Sequence, residues 1–324
     1  MLVAALALSA CTTSAQLTAV GQPSLSLAAP LSVVACTTTG ACVSAGASGS
    51  SMPPSAVGQV RNLRGAWSAL AVPDAPVAAI STASCASQHC LVGGTQSGGE
   101  LLWSIDAGNG AVTAESGAAA GVAVLALSCA SDADCAMVDQ TPNDLLRFST
   151  SGDGGQSWGS PRTLAWAAQS LVVLDCPAPR RCLVAASAHG HVDLRQSIDA
   201  GVTWQPLAVP STWTSVIGLH CASTCVALVS EASGSAIATR STTGSTSTWT
   251  STSLPFSGAA LACTPRDHCL VVGQRDDASA AMSSWNGALH SVALTYVPSP
   301  LAGAACGPSV CVAVGVSTTV AFTP

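Results

Sequence analysis

The chain contains no lysine: its ten basic residues are all arginine, set against sixteen acidic residues for a formal charge of −6. Phosphate recognition needs a dense basic stripe, so nucleic acid is excluded as a partner. Charged residues of all kinds make up 8% of the 324 residues and aromatics 4%, with a single tyrosine, Tyr296. Polar disorder requires low hydrophobicity and high charge, and a chain that is 48% hydrophobic has neither. No stretch reaches eighteen apolar residues without polar interruption, so no transmembrane helix is expected. Beyond the first ten residues no helical periodicity of useful length appears. P-loop, HExxH and G-x-S-x-G motifs are also missing.

What the chain has is cysteine. Cys11 stands alone, and fourteen others form local doublets: Cys36/Cys42, Cys85/Cys90, Cys129/Cys135, Cys176/Cys182, Cys221/Cys225, Cys263/Cys269 and Cys306/Cys311. The first members recur at steps of 49, 44, 47, 45, 42 and 43 residues, the mark of a tandem repeat. Pairing within each doublet is the reading expected of an exported chain, giving seven disulfides. Each closes a loop so small that its entropic stabilisation is roughly 2 kcal/mol, enough to pin a hairpin. Buried free thiols are the alternative. Zinc fits less well, because CxxC spacing is absent and no metal-ligand constellation accompanies the doublets.

The unit from Ser170 to Pro210 shows the repeat's content. Leu171–Leu174 and Cys182–Ala185 read as short strands around a turn containing Pro177 and Arg181. His191–Gln196 alternates as a third strand, and Thr203–Leu207 follows a turn at Asp199-Ala200-Gly201. Four short antiparallel strands are one propeller blade. Repeating that phrase predicts an all-β chain forming a seven-bladed β-propeller, one domain over residues 11–324, with an open solenoid as the alternative. The last unit has residues for three strands only, so a strand from Ala15–Leu27 is expected to complete it and close the ring.

Residues 1–10, MLVAALALSA, form a signal-peptide-like apolar segment without a basic start. Leu8-Ser9-Ala10-Cys11 resembles a bacterial lipobox. That resemblance implies lipidation at Cys11, a membrane held by lipid anchor only, and an extracytoplasmic location as an envelope lipoprotein or secreted protein. The Ala/Gly/Ser/Thr bias with no lysine points to a high-GC bacterial source.

Two turns carry a sharper signature. Ser151, Asp153, Gly155 and Trp158 fit S-x-D-x-G-x-[ST]-W, as do Ser197, Asp199, Gly201 and Trp204. Ser104-Ile105-Asp106-Ala107-Gly108 keeps the first half. This pattern resembles the Asp-box, or bacterial neuraminidase repeat, whose residues are structural: a carboxylate ties its own turn, and the Trp packs between sheets with its N–H on an acceptor. The whole chain resembles secreted propellers grouped with sialidase-like and photosystem-assembly-factor-like proteins. Members of that group include enzymes, assembly factors and binding proteins, so the resemblance implies a fold without selecting an activity.

The sialidase residues are not matched: no Arg-Ile-Pro segment precedes the first box, and Tyr296 sits where a blade edge explains it. The scattered histidines supply no ligand set, with His189 and His191 the nearest to one, so no metal and no cofactor are expected. A non-catalytic binding or scaffold role follows, with a protein or glycan partner at one end face of a monomer. The candidate contacts are Trp166, Trp213 and the adjacent Arg180 and Arg181. The alternative is a glycoside hydrolase-like enzyme acting on envelope or extracellular glycans, which needs two carboxylates converging on one sugar.

Overall fold

A computed structural model describes residues 18–20, 30–47, 56–73, 76–116, 121–164, 171–242, 248–264, 267–292, 294, 299–315 and 319–323. The first strand, β1 (Thr18–Val20), is set apart from the rest. The next two sheets are β2 (Val33–Cys36), β3 (Cys42–Ala47), β4 (Ala56–Arg61) and β5 (Trp67–Ala69), then β6 (Val77–Cys85), β7 (His89–Gln96), β8 (Gly99–Asp106) and β9 (Val112–Ala114). The middle sheets are β10 (Ala123–Cys129), β11 (Cys135–Gln140), β12 (Leu146–Ser151) and β13 (Arg162–Thr163), then β14 (Leu171–Ala178), β15 (Arg181–Ala188), β16 (His191–Ser197) and β17 (Gln205–Pro206). These are followed by β18 (Trp213–Cys221), β19 (Thr224–Glu231), β20 (Gly234–Ser241) and β21 (Thr250–Ser253), and by β22 (Ser257–Cys263), β23 (Cys269–Gln274), β24 (Ala280–Trp285) and β25 (Leu289–Ser291). The chain ends in β26 (Leu301–Cys306), β27 (Cys311–Gly315) and β28 (Thr319–Thr323).

The fold is an all-β propeller of four-stranded antiparallel blades. Among the described residues, six blades are complete in themselves, each made of four consecutive strands. The sequence expectation of seven uniform units therefore needs qualifying. The last cysteine unit supplies only three strands, and its sheet runs β26-β27-β28-β1, with Thr18 opposite Thr323 and Val20 opposite Ala321. The first strands β2, β6, β10, β14, β18, β22 and β26 each lie against the next, and β26 lies against β2.

Position within a blade dictates sequence. The second strand is buried on both faces between neighbouring blades, so it reads as an unbroken apolar run such as Cys269-Leu270-Val271-Val272. The fourth strand is the exposed outer edge: β13, β17 and β21 bury none of their residues. Glycine recurs four residues after the second cysteine, at Gly46, Gly94, Gly273 and Gly315. There a Cβ would run into the carbonyl oxygens of Pro30, Ala79, Ser257 and Pro300 respectively. These carbonyls lie at the start of each first strand, where its pairing is irregular in three of the four sheets.

The structure pairs the cysteines within each doublet, Cys36 with Cys42 through Cys306 with Cys311, at Cα separations of 3.9–4.1 Å. Each pair fastens the first strand to the second. Blades are then stitched to one another at the inner wall. The Cys129 N–H donates to Ser84 Oγ at 2.9 Å, the Cys176 N–H to Ser128 Oγ at 2.8 Å, and the Cys221 N–H to Asp175 Oδ2 at 2.8 Å. The acceptor is always the residue just before the first cysteine of the preceding blade.

Removing one of these acceptors leaves a sheltered N–H unpaired. Ser84→Ala and Ser128→Ala are each expected to lower unfolding free energy by about 1–3 kcal/mol in urea titrations at unchanged slope. Changes within about 0.3 kcal/mol of wild type in both variants would contradict inter-blade stitching.

Candidate functional site at the hairpin face

The cysteine hairpins and the turns between third and fourth strands emerge on one face of the disc; the turns between second and third strands emerge on the other. On the hairpin face, several neighbouring tips are tied together. The Thr38 N–H donates to Ala86 O at 2.9 Å and Thr39 Oγ1 to Ser87 O at 2.9 Å. From that tip the Ser87 N–H and hydroxyl donate to the Asp132 carboxylate. His89 Nε2 pairs with Gly154 O at 2.5 Å, and the Ser223 hydroxyl donates to Asp267. Gly307 packs beneath Thr37 where the chain's two ends meet.

The tip Pro177–Arg181 differs. Among the described residues, no hydrogen bond ties it to the tips on either side; its Arg180 carbonyl accepts from the Ala200 N–H of its own blade at 3.0 Å, as the Gln88 and Ala133 carbonyls accept from Ala107 and Gly154 of theirs. Where the stitching lapses, two grooves open. One, of about 360 Å³, is lined by Arg180, Pro179, Asp134, Thr150, Gly152 and Asp199. The other, of about 310 Å³, is lined by Arg181, Arg240, Gln196, Thr242, Ile198 and Leu207. The hairpin is a ridge between them, with Arg180 on one side and Arg181 on the other.

Repeat positions explain the second groove. Arg181 occupies the place of His89, immediately before the second cysteine, and His89 reaches the next blade. Arg240 stands opposite Cys225, where Ser151 stands opposite Cys135 and Ser197 opposite Cys182. The second slot varies between blades, holding Arg61 opposite Cys42, Ile105 opposite Cys90 and Trp285 opposite Cys269, but only here do arginines from both slots line one groove among the described residues. No carboxylate lines that groove, and Ile198, 66% exposed, adds an apolar rim. The Arg181 Nε is buried without a hydrogen-bond partner.

The two Asp-box-like turns frame the ridge and are self-contained. Asp153 Oδ1 accepts from Ser151 Oγ and the Ser157 N–H, both at 2.8 Å, and Oδ2 from Ser157 Oγ at 2.5 Å. Asp199 repeats this with Ser197 and Thr203 at 2.6–2.9 Å. These bonds, led by the Ser157 and Thr203 hydroxyls, hold both carboxyls down at about 2. Gly155 and Gly201 adopt φ of +89° and +77°, and a Cβ on Gly201 would strike Phe148 of the preceding blade. Trp204 meets that same Phe148 edge-on with ring centroids 5.1 Å apart. Every carboxylate oxygen is engaged, so neither aspartate is positioned as a metal ligand. Trp158 departs from expectation: its Nε1 has no hydrogen-bond partner. The partial match at 104–108 is out of register. Ile105, and not Ser104, faces Cys90, and Asp106 forms an ordinary turn with the Gly108 N–H at 2.7 Å.

Of the other candidate contacts, Trp213 is corrected. It opens β18 at 2% exposure and packs edge-on against Trp249, centroids 5.0 Å apart, so it belongs to the core. The sequence shows it in an inter-blade segment but not that the first strand extends back that far. Trp166 and Cys11 lie outside the described residues, as does the segment 1–10. No group of three or more metal-ligating side chains occurs among the described residues, and no helix there is long and apolar enough to cross a membrane.

On the opposite face Arg147 binds Asp139 through two bonds, Nε–Oδ1 at 2.7 Å and Nη2–Oδ2 at 2.8 Å. Glu100, from the preceding blade, feels both groups. Burial, reinforced by Asp139, pushes its carboxyl up to about 7 against the pull of Arg147. Asp139 is engaged by the arginine and Glu100, raised to about 7, is only partly ionised near neutrality, so the pair is not two free carboxylates. Sequence reading missed this cluster because its members lie some forty residues apart.

No protein-family model matches the chain and no curated protein matches it in sequence. Solved structures do. YCF48 from Cyanidioschyzon merolae superposes with a TM-score of 0.62 at 11% identity, over 95% of this chain and 98% of that one. A catalytically inactive virginiamycin B lyase from Staphylococcus aureus, solved with quinupristin, gives 0.63 at 11% identity over 95% and 99%. The Niastella koreensis GH74 enzyme gives 0.66 at 10% identity over 92% of this chain and 53% of that one. The likeness identifies a β-propeller.

Glu100 generates a pH prediction. Its folded-state pKa lies above the unfolded value, so the folded chain retains a proton that the unfolded chain releases. Stability contributed by Glu100 is therefore full below about 4.5 and is lost as pH rises towards 7. Glu100→Gln is expected to flatten that part of the stability–pH curve in thermal melts. An unchanged slope would contradict the assignment.

Proposed function

We propose that the chain is a non-catalytic, extracytoplasmic binding propeller whose partner docks on the hairpin face across the ridge at Pro177–Arg181. One observation carries this reading: the tip-to-tip stitching lapses on both sides of the hairpin that presents Arg180 and Arg181, leaving a groove on each flank. Arginine is favoured at interface hot spots, and a ridge flanked by grooves offers a side-chain-sized seat on either side. A protein partner fits better than a glycan, because Trp213 is withdrawn into the core and no exposed aromatic platform lines either groove.

The same reading takes the composite sheet of β26, β27, β28 and β1 as a seventh blade that closes the ring. The paired cysteines favour an oxidising compartment. An anchor at Cys11 following a cleaved segment 1–10 would hold a monomeric disc at the membrane surface. The alternative, a hydrolase acting on envelope or extracellular glycans, draws on Glu100 and Asp139. It is weakened by the arginine that occupies Asp139 on both oxygens.

Face-specific photo-cross-linking tests the proposal. A photoreactive residue at Arg180 is expected to capture one saturable adduct from envelope extracts, lost when Arg181→Ala and Arg240→Ala are combined in the same chain. The same residue at Ser97, on the opposite face, is expected to capture none. Adducts confined to Ser97, or release of reducing sugar ends that Glu100→Gln abolishes, would favour the hydrolase.

A further inference from the structure

Several arginines of the chain are held by the chain itself. Arg147 and Arg195 each grip a carboxylate through two bonds, to Asp139 and Asp193. Arg61, Arg162 and Arg275 each donate to a backbone carbonyl, of Gly40, Ala200 and Ala280. Arg181 does neither. Among the described residues no hydrogen bond or ion pair engages its guanidinium, and its Nε is a buried donor without an acceptor. A buried donor in that state needs an explanation, and the groove beside it supplies one.

The groove of about 310 Å³ has two walls. Arg181 and Leu183 alternate along one side of β15, and Gln196 stands opposite Leu183. From the next blade, Arg240 stands opposite Cys225. The two arginines thus come from facing blades to one opening that no carboxylate lines. The groove on the other flank of the ridge differs, because Asp134 and Asp199 line it beside Arg180. The chain carries a net charge of −6, so an acidic partner is drawn only to places where cations stand without carboxylates. The rim is apolar. Ile198 is 66% exposed, Val202 on the same turn is 57% exposed, and Leu207 is half-buried in the lining.

We propose that the groove between the fourth and fifth cysteine units seats an acidic side chain of a protein partner, its carboxylate on Arg181 and Arg240 and an adjacent apolar side chain on Ile198 and Leu207. The inference rests on the hairpin face being the docking surface, and adds the chemistry that the partner presents there. A guanidinium fork matches a carboxylate in shape as well as charge, and charge-assisted bonds of this kind are the strong ones. The apolar rim shelters them from water and selects for the neighbouring side chain.

The probe is the blocked peptide acetyl-Gly-Glu-Leu-Gly-amide, whose only charge is the glutamate. It is titrated into the full chain and read by NMR shifts of the Arg181 Nε–H and the Ile198 methyl groups. Both signals are expected to move together and to saturate. Glutamine in place of the peptide's glutamate is expected to weaken binding about tenfold, and glycine in place of its leucine about fivefold. Arg181→Gln is expected to abolish the preference for glutamate over glutamine, and Ile198→Ser the preference for leucine over glycine. Equal binding of the glutamate and glutamine peptides to wild type overturns the carboxylate seat, as does a glutamate preference that survives Arg181→Gln. Absence of any saturable shift at Arg181 overturns the inference outright. The cross-link at Arg180 reports separately on the docking face: an adduct that persists in that case means that a partner of other chemistry docks on the ridge, and loss of the adduct as well removes the docking surface itself.

Discussion

The structure depends on how closely the first strands of neighbouring blades approach one another. Each cysteine unit fastens its first strand to its second through a cysteine pair, and at three junctions the residue before the first cysteine (Ser84, Ser128 or Asp175) accepts from the next blade's backbone. A backbone N–H at such a contact must be paired or it costs free energy, so the acceptor position is constrained wherever it is used. Tight approach also explains the glycines four residues after the second cysteine, which leave room for a first-strand carbonyl. Cysteine spacing, glycine placement and the small residues along the inner strands are three consequences of one packing geometry.

Against that regular background the contacts around the cysteine hairpin of 176–182 depart from the pattern. Several other tips bond across blades, as Thr38 does to Ala86, Ser87 to Asp132 and Ser223 to Asp267. Here no bond across blades occurs at the tip among the described residues, and Arg181 and Arg240 line one groove from positions held by His89 in the second unit and by Ser151 and Ser197 in the third and fourth. Asp175 replaces a serine at the same inter-blade contact. Several departures from the repeat therefore collect around one ridge. Local inconsistency of this kind is expected where a surface serves recognition in addition to folding.

Much of this was legible in the sequence, for identifiable reasons. The cysteine doublets recur at a pitch that only a repeat produces, and the strands of Ser170–Pro210 fall where alternation and turn residues put them. The S-x-D-x-G-x-[ST]-W turns are local, so their bonding follows from residues four apart. The incomplete last unit announced that another part of the chain must finish its sheet, and β1 pairs with β28. What could not be read was register and long-range proximity. Ser104 looks like a box serine until Ile105 is seen opposite Cys90. Trp213 reads as a surface aromatic until its strand places it against Trp249. Arg240 is fifty-nine residues from Arg181 (240 − 181), and nothing in the composition joins them. The Glu100–Asp139–Arg147 cluster is hidden for the same reason.

The central claim is that the tip at Pro177–Arg181 lacks the bonds across blades that hold the first two tips together. Residue-resolved amide hydrogen exchange measures it directly. The account predicts slow exchange at the Thr38 and Ser87 amides, which are bonded across blades, and exchange faster by at least an order of magnitude at the Arg180 amide. Equal protection at all three amides would contradict it, because the ridge would then be held as firmly as the tips that bond across blades.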